Sequence, residues 1–328
     1  MKAFLISIDT EGDNLWDWHI GDPITTNNAG YISRFQSLCN DYGFKPTYLT
    51  NYEMISDDAF RKWLRNKSHN HECEVGMHLH AWSTPPYVEL HNRDDEPAQS
   101  YLIEYEYDVM RNKIQEMTNK LSDAIDKPIL THRAGRWAMN EQYFSILSEF
   151  GYKIDCSVTP HVNWSMYKGE TIGSKGSDYS KCSEQPYIFE TCAGEIIEIP
   201  VTIRSTSKMF LNSNDPRSLL SAFRKAIKGQ KIWLRPNGKN LKQMMWLINN
   251  VKYDDETDYI MFMLHSSELM PGGSPYFKTE ESIENLYSDI QQLFKEASNS
   301  FCGCTIGEYG LNFYNTKRSK LSQNGESK

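Results

Sequence analysis

Residues Lys2–Asp13 read KAFLISIDTEGD, in which Ala3 to Ile8 is apolar apart from Ser7 and the run stops at Asp9, with Glu11 and Asp13 at alternate positions beyond it. An almost unbroken apolar run of this kind describes a strand buried on both faces, because a half-exposed strand would alternate apolar with polar. Carboxylates do not belong inside such a core. Placed where the strand stops, they mark the rim at which, in a parallel sheet, the loops following the strands build a site.

Similar short apolar runs recur at Thr47–Leu49, Cys73–Met77, Pro128–Leu130, Lys153–Val158, Ile196–Val201 and Tyr259–Leu264. Helical spacings separate them: Tyr31/Phe35/Leu38, Phe60/Trp63/Leu64, a long one from about Pro97 to Ile125, and Tyr143/Phe144/Leu147. Leu219/Phe223/Ile227, Leu241/Met244/Met245/Ile248 and Ile283/Leu286/Ile290/Phe294 continue the series. Strands alternating with helices predict an α/β chain with a parallel sheet. The stretch 161–185 shows neither period and reads as a long excursion from a single domain over 1–314. The polar tail 315–328 lacks apolar anchors and is expected to be disordered.

Composition excludes several function classes. The net charge is −8 with both signs interspersed, whereas a nucleic-acid ligand requires clustered Lys and Arg, so nucleic acid is not an expected partner. Seven cysteines, an odd number in a chain of 328 residues, read as reduced thiols and point to a cytoplasmic protein. Asp9 cuts the first apolar run too early for a secretory leader. No segment approaches the roughly 18 apolar residues of a membrane span, which leaves peripheral membrane contact open.

Titratable groups collect at the strand ends: Asp9 and Glu11, then His78 and His80, then His132-Arg133-Ala-Gly-Arg136-Trp137, then Asp155, and finally His265-Ser-Ser-Glu268. Burying unpaired charges there would cost several kcal/mol each, so solubility does not explain them. In extended chain, residues i and i+2 share a face, so Asp9 and Glu11 can converge on one cation or divide into ligand and base. His78 and His80 have the spacing of two imidazoles that bind a divalent ion with a carboxylate. Taken separately, the acids read first as a solvated turn or an N-cap cluster, and the histidines equally as a hydrogen-bonded pair beside Trp82. His69-Asn-His71-Glu-Cys73 and Cys302-Gly-Cys304 are weaker candidates, the first because it precedes a strand and the second because it has no partners.

In order, Asp9-Thr-Glu11, GMHLHAWSTPP, HRAGRW, DCSVTP, IEIPVT and LHSSEL resemble the motifs of the NodB-type polysaccharide deacetylases, carbohydrate esterase family 4, over Lys2 to about Ser274. The nearest likeness is to the subgroup associated with surface-polysaccharide synthesis. The resemblance implies a distorted (β/α)7 barrel that hydrolyses the N-acetyl group of an amino sugar with a divalent metal, zinc first among candidates. It implies that Asp9 is the catalytic base, Glu11 and His78 metal ligands, Arg133 the partner of the base, Asp155 the acid of the fourth motif and His265 the general acid. Where the family places its second histidine, four residues after the first, this chain has Trp82, which leaves His80 as the nearby substitute. Trp82, Trp137, Arg136 and Glu268 are the expected substrate contacts, and the substrate an N-acetylated sugar, glycolipid or polysaccharide precursor. Two alternatives share the fold: a hydrolase of cyclic imides or small amides, and a carbohydrate-binding protein without the metal.

Overall fold

A computed structural model describes residues 1–19, 21–93, 98–210, 227 and 229–325, with side chains through 320. Strand β1 (Lys2–Thr10) is buried along its length from Ala3 onward, as its apolar run requires. It pairs in parallel with β2 (Pro46–Thr50), and the ladder continues through β3 (Glu74–Leu79), β4 (Thr131–Ala134), β5 (Ile154–Asp155) and β7 (Gly194–Glu198). On the other side of β1 lies β10 (Tyr259–His265), also parallel. Antiparallel β6 (Tyr187–Thr191) ends the sheet beside β7, and β11 (Phe301–Gly303) pairs with the start of β1.

The sheet curls into a half-barrel of the polysaccharide deacetylase type, as expected. Among the described residues no ladder joins β7 to β10. A separate antiparallel pair, β8 (Ile203–Thr206) and β9 (Gln230–Trp233), bounds that gap. Met261 N–H donates to Thr202 Oγ1 at 2.8 Å and Met263 N–H to Leu234 O at 3.0 Å, so the wall closes through connecting segments.

Helices cover the outer face: α1 (Ile32–Asp41), α2 (Tyr52–Ser56), α3 (Asp58–His69), α4 (Tyr107–Ile125), α5 (Glu141–Glu149), α6 (Leu241–Lys252), α7 (Glu280–Ser298) and α8 (Ile306–Gly325). Their starts are chemically marked. Asn51 accepts from Met54 N–H, Asp57 from Ala59 and Phe60 N–H, and Asn140 from Tyr143 N–H, each satisfying a helix-end donor. Glu280 and Glu281 occupy the first turn of α7, where the helix dipole favours them.

Three elements differ from the sequence reading. The helix expected from about Pro97 begins at Tyr107, because Glu104 turns away to accept from the N–H groups of Glu170 and Thr171 in the excursion. The strand expected at Pro128–Leu130 lies at Thr131–Ala134, so the polar pair His132-Arg133 is inside the ladder. The tail expected to be disordered from 315 instead continues α8 through Gly325, its early part fixed to β7 where Tyr314 and Arg318 both bind Glu195. Leu219 and Phe223 lie outside the described residues.

Candidate active site

Strand register brings the sequence candidates to one rim. Asp9 aligns with His265 of β10, and His78 of β3 aligns with Arg133 of β4. Glu11 follows β1 in a loop whose backbone is clamped: its N–H donates to Ser266 Oγ at 3.1 Å, and Asn28 Nδ2 donates to its carbonyl at 2.7 Å. Asn28 also donates to Ser266 Oγ at 2.8 Å, which locks the loop after β1 to the loop after β10.

Glu11, His78 and His80 are all buried and converge to form, among the described residues, a group able to hold a metal ion. His78 Nε2 and His80 Nε2 stand 3.1 Å apart, and Glu11 Oε2 lies 3.4 Å from the first and 3.2 Å from the second. Three ligands of a tetrahedral ion with bonds of about 2.0 Å are separated by about 3.3 Å, so this triangle has the required size. The tautomer agrees. His78 Nδ1 faces the Arg133 carbonyl at 3.0 Å and donates to it, which leaves a lone pair on Nε2, the arrangement typical of a metal-bound imidazole.

Charge in the cluster is also incomplete without a cation. Burial raises the Asp9 pKa, but Arg133, His78 and His265 outweigh it and hold the carboxylate below its usual range. Burial opposes ionisation of Glu11 too, yet His265 and the hydrogen bonds from His78 and His80 keep it well below the usual value. Burial lowers the His78 pKa while Asp9 and Glu11 raise it further, so the net change is upward. Two carboxylates with one permanent counter-charge, Arg133, draw a proton onto an imidazole. A divalent ion supplies that positive charge instead. The donor set therefore fits the implied metal.

Arg133 crosses the barrel interior. Its Nη1 donates to Asp9 Oδ1 at 2.6 Å, Nη2 to Ser7 Oγ at 3.0 Å and Nε to the Cys156 carbonyl at 3.0 Å. His265 presents Nε2 to the same centre, 3.7 Å from Asp9 Oδ2 and 3.8 Å from Glu11 Oε1. Its Nδ1 sits 2.9 Å from Arg235 Nη2 and 3.2 Å from Glu268 Oε2. A guanidinium only donates and a carboxylate only accepts, so His265 Nδ1 has a partner with or without a proton on it.

The cavity above these groups has a volume of ≈ 210 Å³, and its walls include Trp16, Trp82, Gln99, Arg136 and Trp137. Trp82 stacks on His80 with ring centroids 4.4 Å apart. Arg136 and Trp137 both have left-handed backbone, φ 54° and 62°, in the turn that carries them to the rim. Arg136 is tied down by the carbonyls of Gln99 and Lys168.

Two sequence candidates stand apart from the cavity wall. Asp155 is fully buried behind it, accepting from His132 Nδ1 at 2.6 Å and Ser157 Oγ at 2.8 Å. Glu198 adjoins it, and burial followed by the Asp155 charge pushes the Glu198 pKa well up, so the pair retains a proton. Glu268 is likewise buried, behind His265. Of the weaker candidates, His69 bonds the Ile125 carbonyl, and Cys302 and Cys304 are free thiols.

Sequence reasoning missed Arg235 and Lys113. Arg235 ends the apolar run of KIWLR, the same pattern that marks the other strand ends, and that signal was available. Lys113 is buried in α4 and donates to the carbonyls of Ala81, Thr84 and Pro86, fixing the loop that follows His80. Nothing in its helical spacing announces this.

No family profile matches the sequence, and no curated protein matches it. Solved structures do. A polysaccharide deacetylase from Mycobacterium smegmatis superposes with a TM-score of 0.52 at 11% identity, over 96% of this chain and 92% of that one. Puue allantoinase gives 0.51 at 10% identity, over 96% and 90%. A 4-alpha-glucanotransferase from Thermococcus litoralis gives 0.54 at 11% identity, over 94% of this chain but 40% of that one. At these identities the likeness is one of fold, and the fold is that of polysaccharide deacetylases.

Proposed function

We propose that this chain is a metal-dependent hydrolase that removes the N-acetyl group of an amino sugar used in making a surface polysaccharide, in the cytoplasm, through a single barrel domain over 1–314. The observation that carries the reading is the buried triangle of Glu11 Oε2, His78 Nε2 and His80 Nε2, with an ionised Asp9 and His265 beside it. These three residues would hold the metal, with zinc first among candidates because the set mixes imidazole and carboxylate. Such an ion, when bound, polarises the acetamide carbonyl and acidifies water.

Asp9 accepts the proton of the attacking water, and Arg133 keeps it ionised and aimed. His265 delivers a proton from Nε2 to the departing amine, without which amide cleavage is slow. Arg235 and Glu268 suit both states of that histidine: the guanidinium donates to Nδ1 of the neutral ring, and Glu268 accepts from Nδ1–H of the charged one. Trp82 and Trp137 wall the acetyl pocket, and Arg136 places Gln99 at its edge. Asp155 is held behind the wall by His132 and Ser157 and does not act on substrate.

Elemental analysis for bound metal, followed by acetate release from a panel of N-acetylhexosamine donors, tests the reading. Stoichiometric metal with acetate release supports it. Hydrolysis of a cyclic imide or small amide, and of no acetylated sugar, would replace it with the other hydrolase class. Absence of metal affinity would leave a carbohydrate-binding protein.

A further inference from the structure

A second cavity, ≈ 440 Å³, adjoins the catalytic one, and its walls include Trp164, Lys231, Trp233, Arg235, Asn237 and Tyr276. The two share a partition. Trp164 stacks parallel on Trp137 with centroids 6.3 Å apart, Tyr276 meets Trp16 edge-on at 6.1 Å, and Arg235 touches His265 while lying 5.7 Å from the Trp16 ring. A substrate seated over the triangle of ligands would extend directly into this space.

Its lining is specific in charge. Lys231 and Arg235 face it together with the amide side chains of Gln230, Asn237, Asn240 and Gln243, and among the described residues no carboxylate lines it. Among the described residues the Lys231 side chain makes no hydrogen bond, its charge being felt by Asp178 outside the cavity lining, and the Arg235 side chain engages hydrogen-bond partners only through Nη2, leaving Nε and Nη1 available as donors. Aromatic walls suit a sugar ring, and cations beside amide donors suit phosphate oxygens.

We infer that this cavity binds the phosphate of a glycosyl phosphate or diphosphate, so that the N-acetylated sugar is presented while attached to an anionic carrier. The identity of the sugar rests on the deacetylase reading; the phosphate subsite does not. A nucleoside diphosphate and a prenyl diphosphate offer the same chemistry to Lys231 and Arg235, and the carrier is resolved by experiment.

Titration calorimetry on the metal-loaded protein compares N-acetylglucosamine with its 1-phosphate. The phosphate form should bind on the order of tenfold tighter, the effect of a charge-assisted contact, and Lys231→Ala or Asn237→Asp should bring the ratio of affinities toward one. Competition by uridine diphosphate and by farnesyl diphosphate, in separate arms, shows which carrier is accepted. Equal affinity for the two sugars, a preference that survives both substitutions, or competition by neither diphosphate overturns the proposal. Phosphate-dependent binding through Lys231 without acetate release would uphold the subsite and remove the deacetylase reading. Acetate release without any phosphate preference would do the reverse.

Discussion

Arg133 Nη1 reaches across the barrel interior to Asp9 Oδ1, 2.6 Å away, and both side chains are sealed from water. A buried charge tolerates this position only when paired, so the contact fixes the protonation state of Asp9 and ties β4 to β1. Asp9→Asn should lower turnover by about 10² to 10⁴, the usual contribution of a general base, while bound metal stays near wild type. Equal loss of metal in that variant would exchange the roles of Asp9 and Glu11.

The same pair sets a pH dependence. Burial disfavours the Asp9 carboxylate, but Arg133 and the two histidines lower its pKa below the usual value on balance. A depressed folded-state pKa contributes stability that is complete above the unfolded-state value, about 3.9, and is lost as pH falls through the folded value. The stability that wild type gains over Asp9→Asn from this carboxylate should therefore shrink as pH falls below about 4. For activity, Arg133→Met should move the acid limb of the rate profile to higher pH, and an unmoved limb would deny Arg133 that role.

His265→Ala should slow hydrolysis of an unactivated acetamide by about 10² to 10⁴ and that of an ester or anilide with a good leaving group far less, since only the first needs a proton delivered. Equal losses on both would make His265 a binding group and direct the search for the acid elsewhere.

Gly135 lies where any side chain would strike the Leu79 carbonyl and approach His80 Cδ2 to 2.6 Å. Gly135→Ala should displace His80 and weaken metal affinity by about 10- to 100-fold, as loss of ligand support typically does. Titration of metal into chelator-treated protein measures it. Unchanged affinity would show that His80 is not a ligand.

The parts of the fold legible in sequence are those where the core is apolar. β1, β3 and β10 appear as runs because the side chains they pack against the helices are Phe, Ile, Leu, Val and Met. β4 lies three residues further on because its central side chains are the polar His132 and Arg133, one on each face of the sheet, whose burial is made acceptable by Asp155 and Asp9 at a distance of 23 and 124 residues. Such pairing has no local signature. For the same reason Asp155 read as a rim acid, although its hydrogen bonds hold it behind the cavity wall, whereas Arg235 closes an apolar run just as the other rim residues do. The continuation of α8 past Tyr314 eluded composition because one carboxylate, Glu195 of another strand, binds both Tyr314 and Arg318.

The central claim is that Glu11, His78 and His80 bind one divalent ion despite the tryptophan four residues beyond His78. Anomalous diffraction at the zinc edge, from crystals of protein loaded with zinc, tests it directly. The account predicts one peak within about 2.0 to 2.2 Å of Glu11 Oε2, His78 Nε2 and His80 Nε2. A peak bound by Asp9 or Asp13 with His80 turned away, or no peak between β1 and β3, would contradict it.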